Sequence, residues 1–211
     1  YANRIDSASF TLAGRRYQVN ANEVLDGVPV SCHGGTHGFD RFLWHAEVQQ
    51  RGDTAAVIFS RLSQDGEEGF PGNLSCSVTF CWTESNACII EYEATTDAPT
   101  VVNLTNHTYF NMRGGNDEYV MNQLLTVYAD SCILNNRQFC PQSLLPVEGS
   151  PFDFRQPHRV DYRIDQPNRQ LEVMHGMSAC WKLRTGSADK RIPRKAAVLY
   201  DGKTGRGMET W

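Results

Sequence analysis

The residues best suited to chemistry lie in the segment Asn103–Asn111, N-L-T-N-H-T-Y-F-N. The pattern predicts a β-strand, whose side chains alternate between two faces. One face would carry an imidazole and a phenol among amides and hydroxyls, from Asn103, Thr105, His107, Tyr109 and Asn111. Histidine titrates near neutral pH and is the commonest general acid or base. We therefore expect this face to floor a polar cleft, with His107 as the catalytic group and Tyr109 as a substrate contact. The alternative is an exposed polar strand with an incidental histidine.

A second group of reactive side chains lies in Ser31–Asp40, S-C-H-G-G-T-H-G-F-D. The glycines beside His33 allow a tight turn and the close approach of a ligand. They also argue against a helix that would place His33 and His37 on one face. Cys32 and Asp40 match no familiar zinc-ligand spacing, so a metal site is disfavoured. A ligand-binding turn and a glycine-rich turn with incidental histidines both remain open.

The composition indicates one large domain or a piece of one. The chain has 211 residues, 40% of them hydrophobic and 10% aromatic, with a formal net charge of −4. This charge gives no signal for a nucleic-acid or membrane partner. No apolar run reaches the roughly 18 residues of a transmembrane helix, and no signal peptide is visible in a chain that starts without Met. The sequence does not indicate an oligomeric state.

The cysteine pattern favours reduced thiols. There are seven cysteines, an odd number, and no C-x-x-C motif. This fits a cytoplasmic protein better than a disulfide framework.

The hydrophobic pattern predicts strands almost throughout. Strict alternation from Leu74 to Trp82 is the clearest signal after the Asn103 segment. Hairpins are predicted over Phe10–Val19 and Ala196–Met208, with turns at Asp26-Gly27 and Asp65-Gly66. Further strand-like runs are Ala55–Leu62, Ile89–Thr96 and Leu124–Leu134. No convincing amphipathic helix exceeds two turns, which favours an all-β sandwich or barrel-like architecture. The segment Ser150–Arg155, S-P-F-D-F-R, fits loop packing and ligand contact equally well.

Several motifs together resemble the aldose 1-epimerase (galactose mutarotase) family. They are Y-A-N-R-I at 1–5, the Ser31–Asp40 and Asn103–Asn111 segments, D-G-E-E-G-F-P-G at 65–72 and S-P-F-D-F-R at 150–155. The resemblance covers nearly the whole chain, with the motifs in the family's order. It implies all-β structure: a large antiparallel β-sandwich with a sugar cleft on one concave sheet. Residues 1–211 would form a single mutarotase-like domain, incomplete because family members are longer at both ends.

The resemblance also implies an activity and roles for individual residues. The family interconverts the α and β anomers of free aldohexoses, with no metal and no organic cofactor. The histidine that matches His107 is the general acid that protonates the ring oxygen. The one that matches His33 binds and polarises the sugar near that oxygen, and Asn3 and Arg4 match residues that contact sugar hydroxyls.

Two departures from the family pattern leave alternatives open. Ser178 stands where the family has a substrate-binding aspartate, and a hydroxyl lacks the charge that strengthens a hydrogen bond. Glu209 matches a strand position upstream of the family's catalytic glutamate, so we expect the general base to lie outside these residues. A non-catalytic sugar-binding relative is therefore a second hypothesis. A hexose-phosphate mutarotase is a third, but Arg4 alone is thin support for a phosphate site.

Overall fold

Strand patterns dominate the residues that the computed structural model describes, which are 1–114, 119–184 and 193–211. The chain divides into two units, Tyr1–Asn106 and His107–Trp211. The one α-helix of the described residues is α1 (Arg169–Met174), which begins with Asn168 accepting hydrogen bonds from two backbone amides. The prediction of an all-β chain without long helices is confirmed. Within the described ranges, no helix is long and apolar enough to cross a membrane.

The first unit contains three antiparallel sheets with the strand orders β2-β3, β1-β5-β4 and β6-β7-β8-β9. Its strands are β1 (Arg4–Ile5), β2 (Ser9–Leu12), β3 (Arg15–Gln18), β4 (Glu23–Leu25), β5 (Val28–Cys32), β6 (His45–Arg51), β7 (Thr54–Ser63), β8 (Leu74–Trp82) and β9 (Cys88–Thr96). Short 3₁₀ turns connect some of them, at Asp6–Ala8, Phe39–Arg41 and Glu67–Gly69. The predicted hairpin at Phe10–Val19 and the strand from Leu74 to Trp82 are both confirmed.

The turn at Asp26-Gly27 fixes the hairpin that carries the first candidate site. Asp26 and Gly27 have φ angles of 52° and 77°. Positive φ at both central residues is what a two-residue hairpin of type I′ requires, and Asp-Gly adopts it readily. The resulting register pairs Glu23 with Val30 across β4 and β5.

In its described residues, the second unit contains two antiparallel sheets with the orders β13-β10-β15-β16 and β12-β11-β14. Its strands are β10 (Leu124–Val127), β11 (Ala129–Asn135), β12 (Pro141–Pro146), β13 (His158–Arg159), β14 (Trp181–Leu183), β15 (Ala197–Tyr200) and β16 (Gly207–Thr210). The predicted strand run Leu124–Leu134 is divided at Tyr128, so its halves join different sheets. The predicted hairpin near the chain's end is confirmed by the pairing of β15 with β16.

The S-P-F-D-F-R segment supplies the core of the second unit. Phe152 and Phe154 are 0% and 1% exposed. Phe152 packs with Cys132, Val147 and Leu171, and Phe154 packs in a neighbouring cluster with Val127 and Ala129. Trp181 contacts both clusters, and its indole N–H donates to the Phe152 carbonyl oxygen at 3.0 Å. For these two phenylalanines the packing hypothesis is therefore correct.

The strand predicted over Asn103–Asn111 is wrong. Residues 101–111 have no strand assignment and form no ladder with the described residues. Tyr109 and Phe110, predicted on opposite faces, are both exposed. Alternation in sequence predicts which side chains would share a face, but a strand also needs a partner for its backbone groups.

Phe154→Ala in the natural protein that contains this chain should lower the free energy of unfolding by about 3–5 kcal/mol, because it empties a core site. Phe154→Leu, which keeps most of the volume, should cost clearly less. Urea unfolding followed by tryptophan fluorescence measures both. Equal stability of the alanine variant and the parent would show that this ring is not a core residue.

Candidate functional site

An ion pair between Arg4 and Glu23 crosses the small β1-β5-β4 sheet. Arg4 lies opposite Cys32 and Glu23 lies opposite Val30, so all four side chains share one face. Arg4 Nε donates to Glu23 Oε2 at 2.8 Å, and Nη2 donates to Oε1 at 3.3 Å. Two parallel bonds fix the plane of the guanidinium as well as its position.

The charge of Arg4 controls the ionisation of Glu23. The hydrogen bond from Arg4 is the main reason that the pKa of the Glu23 carboxyl lies below its usual value, against an opposing effect of burial. The Cys32 thiol and the His33 ring make smaller contributions in the same direction as Arg4. Glu23 is therefore an ionised acceptor at neutral pH.

His33 and Asn3 meet where the β1–β5 ladder ends. Their φ angles are 52° and 57°, in the left-handed region, and the His33 backbone N–H donates to the Asn3 carbonyl oxygen at 2.9 Å. This conformation is tolerated by Asn and His but costs energy, and such residues cluster at ligand sites. Left-handed backbone at both positions turns the chain away from the sheet and places these two residues beside Arg4.

A hydrogen bond sets the tautomer of His33. Nδ1 lies 3.0 Å from the Tyr1 carbonyl oxygen. A carbonyl can only accept, so Nδ1 carries the proton. In the neutral ring Nε2 then has the lone pair and accepts hydrogen bonds, whereas in the imidazolium both nitrogens donate.

Asn22 clamps the turn that contains His33. Its side-chain Nδ2 donates to the carbonyl oxygens of Cys32 and Gly35, both at 2.9 Å. Its Oδ1 accepts from the Cys32 backbone N–H at 2.7 Å. One amide thus satisfies three backbone groups at the point where the β5 ladder stops.

Glu68 holds the same turn from its other side. Its carboxylate accepts from the Thr36 backbone N–H at 2.8 Å and lies 3.3 Å from His37 Nδ1, and its carbonyl oxygen accepts from the Asn20 N–H. Gly35 has a φ of 96° and lies against this carboxylate, so that an added Cβ would collide with Oε2. Gly35 is therefore favoured by its backbone conformation, and a Cβ there would displace the Glu68 carboxylate that accepts from Thr36.

Arg61 supports the segment immediately after the turn. Its guanidinium stacks over Phe42 at 4.0 Å and Phe39 at 4.6 Å and makes two 2.8 Å bonds to Glu67. Trp44 donates its indole N–H to the Phe39 carbonyl oxygen. A buried cation needs such partners, so the cluster ties β7 to the 3₁₀ turn at Phe39–Arg41.

His107 and Tyr109 are neighbours in the second unit. Their ring centroids are 5.2 Å apart with an interplanar angle of 34°. Tyr109 is 90% exposed, so its ring is available to a ligand. The pair lies on irregular backbone, whose position must come from contacts other than a ladder.

A buried polar network anchors the end of this segment. Gln123, fully buried, donates from Nε2 to Asn111 Oδ1 at 2.7 Å and accepts from the Met112 N–H. Arg113 Nε donates to Asp201 Oδ1 at 3.1 Å, and Thr204 donates from its hydroxyl and its N–H to Asp201 Oδ2. Burial alone would raise the pKa of the Asp201 carboxyl, but the bonds from Thr204 and Arg113 outweigh it, so the pKa is lowered.

Ser178 lies on an exposed loop between α1 and β14. The helix ends at His175, whose φ is 55°, and Gly176 comes next with a φ of 129°. The Ser178 backbone N–H donates to the Gly176 carbonyl oxygen at 2.9 Å. Its side chain offers a hydroxyl and no charge to any ligand at this loop.

The structure brings together some of the predicted site residues. Asn3, Arg4 and His33 form one cluster in the first unit, and His107 and Tyr109 form a pair in the second. Ser178 lies on a separate loop of the second unit. Among the described ranges, no three His, Cys, Asp or Glu side chains converge as a metal site. All seven cysteines are thiols, four of them buried.

Sequence reasoning missed several residues that hold these clusters. They are Asn22, Glu23, Glu68, Gln123 and Asp201. The Asp26-Gly27 turn was a usable signal for Glu23, since a two-residue hairpin turn sets the register of β4 against β5.

Comparison with known proteins shows the family to which the chain belongs. The sequence model of the family described as "Aldose 1-epimerase" matches residues 1–211. The chain belongs to the aldose 1-epimerase family. Galactose mutarotase from Rattus norvegicus is 39% identical over 211 residues, which are 100% of this chain and 56% of that protein. The chain thus spans little more than half the length of this relative.

Solved structures of similar proteins confirm the predicted galactose mutarotase-like β-sandwich. Galactose 1-epimerase from Lactobacillus acidophilus superposes with a TM-score of 0.81 at 24% identity, over 95% of this chain and 56% of that one. An aldose epimerase homologue from C. elegans also gives a TM-score of 0.81, at 25% identity, over 99% of this chain and 59% of that one.

Gly35→Ala should destabilise the natural protein more than Gly27→Ala does. Both residues have positive φ, which costs an alanine about 1–2 kcal/mol. Only Gly35 also faces the Glu68 carboxylate, whereas a Cβ at Gly27 meets nothing within 4 Å. Urea unfolding of both variants measures the extra loss of stability that the contact with Glu68 causes at position 35. Equal decreases in the free energy of unfolding would show that Glu68 does not press on the turn.

Asp201→Asn should change how stability depends on pH. Because the folded-state pKa is lowered, the ionised carboxylate stabilises the fold above its unfolded pKa of about 3.9 and loses that effect as the pH falls through the folded value. The variant should be less stable at pH 7 and lose less stability on acidification below about pH 4. Thermal unfolding against pH tests this, with the exposed Asp165→Asn as control. If acidification lowered the unfolding temperature of Asp201→Asn as much as that of the parent, the stabilising role of the ionised Asp201 carboxylate would be contradicted.

Proposed function

We propose that the protein containing this chain is an isomerase that interconverts the α and β anomers of free aldoses such as galactose. The observation that carries the proposal is the cluster of Asn3, Arg4 and His33 at the end of the β1–β5 ladder, with both His33 and Asn3 in left-handed backbone. Amides, an imidazole and a guanidinium suit the dense hydroxyls of a sugar. The family match and the names of the relatives support the same activity.

The proposed reaction opens and closes the sugar ring by proton transfer. A base removes the proton of the anomeric hydroxyl while an acid protonates the ring oxygen, and the C1–O5 bond breaks. Rotation about C1–C2 then presents the other face of the aldehyde, and closure reverses the two transfers. These steps are proton transfers and a bond rotation, and the proposal invokes no metal or organic cofactor.

His107 is proposed as the acid that protonates the ring oxygen. An imidazole can donate a proton and recover it within one turnover. Tyr109, whose ring lies beside His107, is proposed to contact the sugar through its exposed ring and phenol. Glu209 is not proposed as the base, since it lies on β16 and accepts a 2.7 Å bond from Lys195.

Asn3, Arg4, His33 and Ser178 are proposed to bind the substrate. With Nδ1 donating to the Tyr1 carbonyl, Nε2 of neutral His33 would accept from a sugar hydroxyl, and the imidazolium would donate to the ring oxygen. At Ser178, a neutral hydroxyl stands in place of the aspartate of the family pattern. Its hydrogen bond to the sugar would therefore be weaker than that of a charged carboxylate.

We propose a single mutarotase-like domain, a small-molecule sugar as the partner and a cytoplasmic location. The odd number of cysteines and the lack of a C-x-x-C motif support a reducing compartment.

Histidine variants of the natural protein test the proposed roles by polarimetry of freshly dissolved α-galactose. His107→Ala should lower kcat by about 10²–10⁴-fold, because a positioned acid is worth that much. His33→Ala should mainly raise KM. His45→Ala, an exposed histidine on β6, serves as the matched control and should match the parent.

Three results would contradict the proposal. Full activity of His107→Ala would remove its assignment as the acid. Galactose binding without any acceleration by the parent protein would favour a non-catalytic sugar-binding relative. Stronger competition by a hexose phosphate than by free hexose would favour a hexose-phosphate mutarotase.

A further inference from the structure

We propose that Glu23 is a positioning residue of the sugar site, which orients the Arg4 guanidinium toward the substrate. This inference rests on the proposed function, since it assigns Arg4 to sugar binding. It adds an acidic residue from the β4–β5 hairpin to a cluster that otherwise comes from β1 and the turn after β5.

The geometry of the ion pair supports an orienting role. Glu23 engages the Nε and Nη2 edge of Arg4 with bonds of 2.8 and 3.3 Å. A guanidinium is planar, so fixing one edge fixes the direction of its remaining N–H groups. Arg4 comes directly after Asn3, whose carbonyl oxygen binds the His33 N–H, so this direction is defined relative to His33.

The surroundings distinguish this pair from an ordinary surface ion pair. Exposed pairs contribute little because water screens them and long side chains lose entropy. Here the side chains of Arg4 and Glu23 are only 19% and 33% exposed, and they cross the buried Val30 and Cys32. Asn22, the neighbour of Glu23, makes three hydrogen bonds to the His33 turn, so the hairpin and the turn are directly linked.

The same contacts argue against Glu23 as the general base. The hydrogen bond from Arg4 lowers the pKa of the Glu23 carboxyl, which makes it a weaker proton acceptor. A base that works near neutral pH needs a pKa closer to that range. Orientation of Arg4 uses the ionised carboxylate and requires no proton transfer at Glu23.

The test compares Glu23→Gln with the parent in the natural protein, using galactose and polarimetry. The glutamine keeps the shape and one acceptor but loses the charge-assisted pair, so KM should rise about tenfold. The kcat should stay within about threefold, since Arg4 binds and does not transfer protons. Glu91→Gln, on the exposed strand β9, is the matched control and should leave both constants unchanged.

A double-mutant cycle separates positioning from general loss of structure. Arg4→Lys alone should raise KM, and adding Glu23→Gln to it should raise KM little further, because the two residues act as a unit. Fully additive effects would overturn the proposal, as would an unchanged KM in Glu23→Gln. A collapse of kcat at unchanged KM would instead make Glu23 a catalytic residue and also overturn it.

Calorimetry with galactose keeps this test independent of turnover. If the parent binds galactose without catalysis, the proposed function fails, but Glu23→Gln should still weaken binding about tenfold. If the parent turns over and Glu23→Gln binds galactose as the parent does, the proposed function stands and the role of Glu23 fails. Absence of both binding and turnover in the parent rejects both proposals.

Discussion

The three hydrogen bonds of the Asn22 side chain are the constraint on which the first candidate site depends. At Cys32 the β5 ladder stops, and the chain must turn with His33, Gly34 and Gly35 all at positive φ. Backbone groups that leave a ladder need other partners. Asn22 supplies them on one side, and Glu68 and the Arg61 cluster support the turn and its continuation. Asn22 therefore helps to stabilise the left-handed backbone at His33 and to keep His33 beside Asn3 and Arg4.

In the second unit, a different set of side chains holds backbone that lies outside a ladder. His107 and Tyr109 lie on backbone without a ladder in the described residues, and the chain that follows them is held by buried side chains. Gln123 and Asp201, both almost fully buried, hold Asn111 and Arg113. In each unit, therefore, a histidine proposed for chemistry, His33 or His107, lies just outside a sheet, and side-chain amides and carboxylates hold the neighbouring backbone in place of a ladder. Removing such a group leaves buried partners unsatisfied, which is why these positions should be sensitive to substitution.

Much of the fold could be predicted from the sequence, because strand alternation and Asp-Gly turns are local signals. The strand from Leu74 to Trp82 and both hairpins are examples of such signals. The segment Asn103–Asn111 shows the limit, since its alternation is real but the pairing that makes a strand depends on residues far away. Glu23 shows another limit: its partner Arg4 is 19 positions away, and only the register of β4 and β5 brings the two together. The family motifs located His33 and His107, and Glu68 lies in one of them, but Asn22, Gln123 and Asp201 belong to none of these motifs.

The central claim is that the His33 turn is a preorganised sugar site, and nitrogen NMR of the His33 imidazole tests it most directly. The natural protein, labelled with ¹⁵N on histidine, would be titrated with galactose at neutral pH. The account predicts a ring protonated at Nδ1 before sugar is added, as the bond to the Tyr1 carbonyl requires, and a shift at Nε2 that saturates with galactose. A ring protonated only at Nε2, or no change at either nitrogen at saturating galactose, would contradict it.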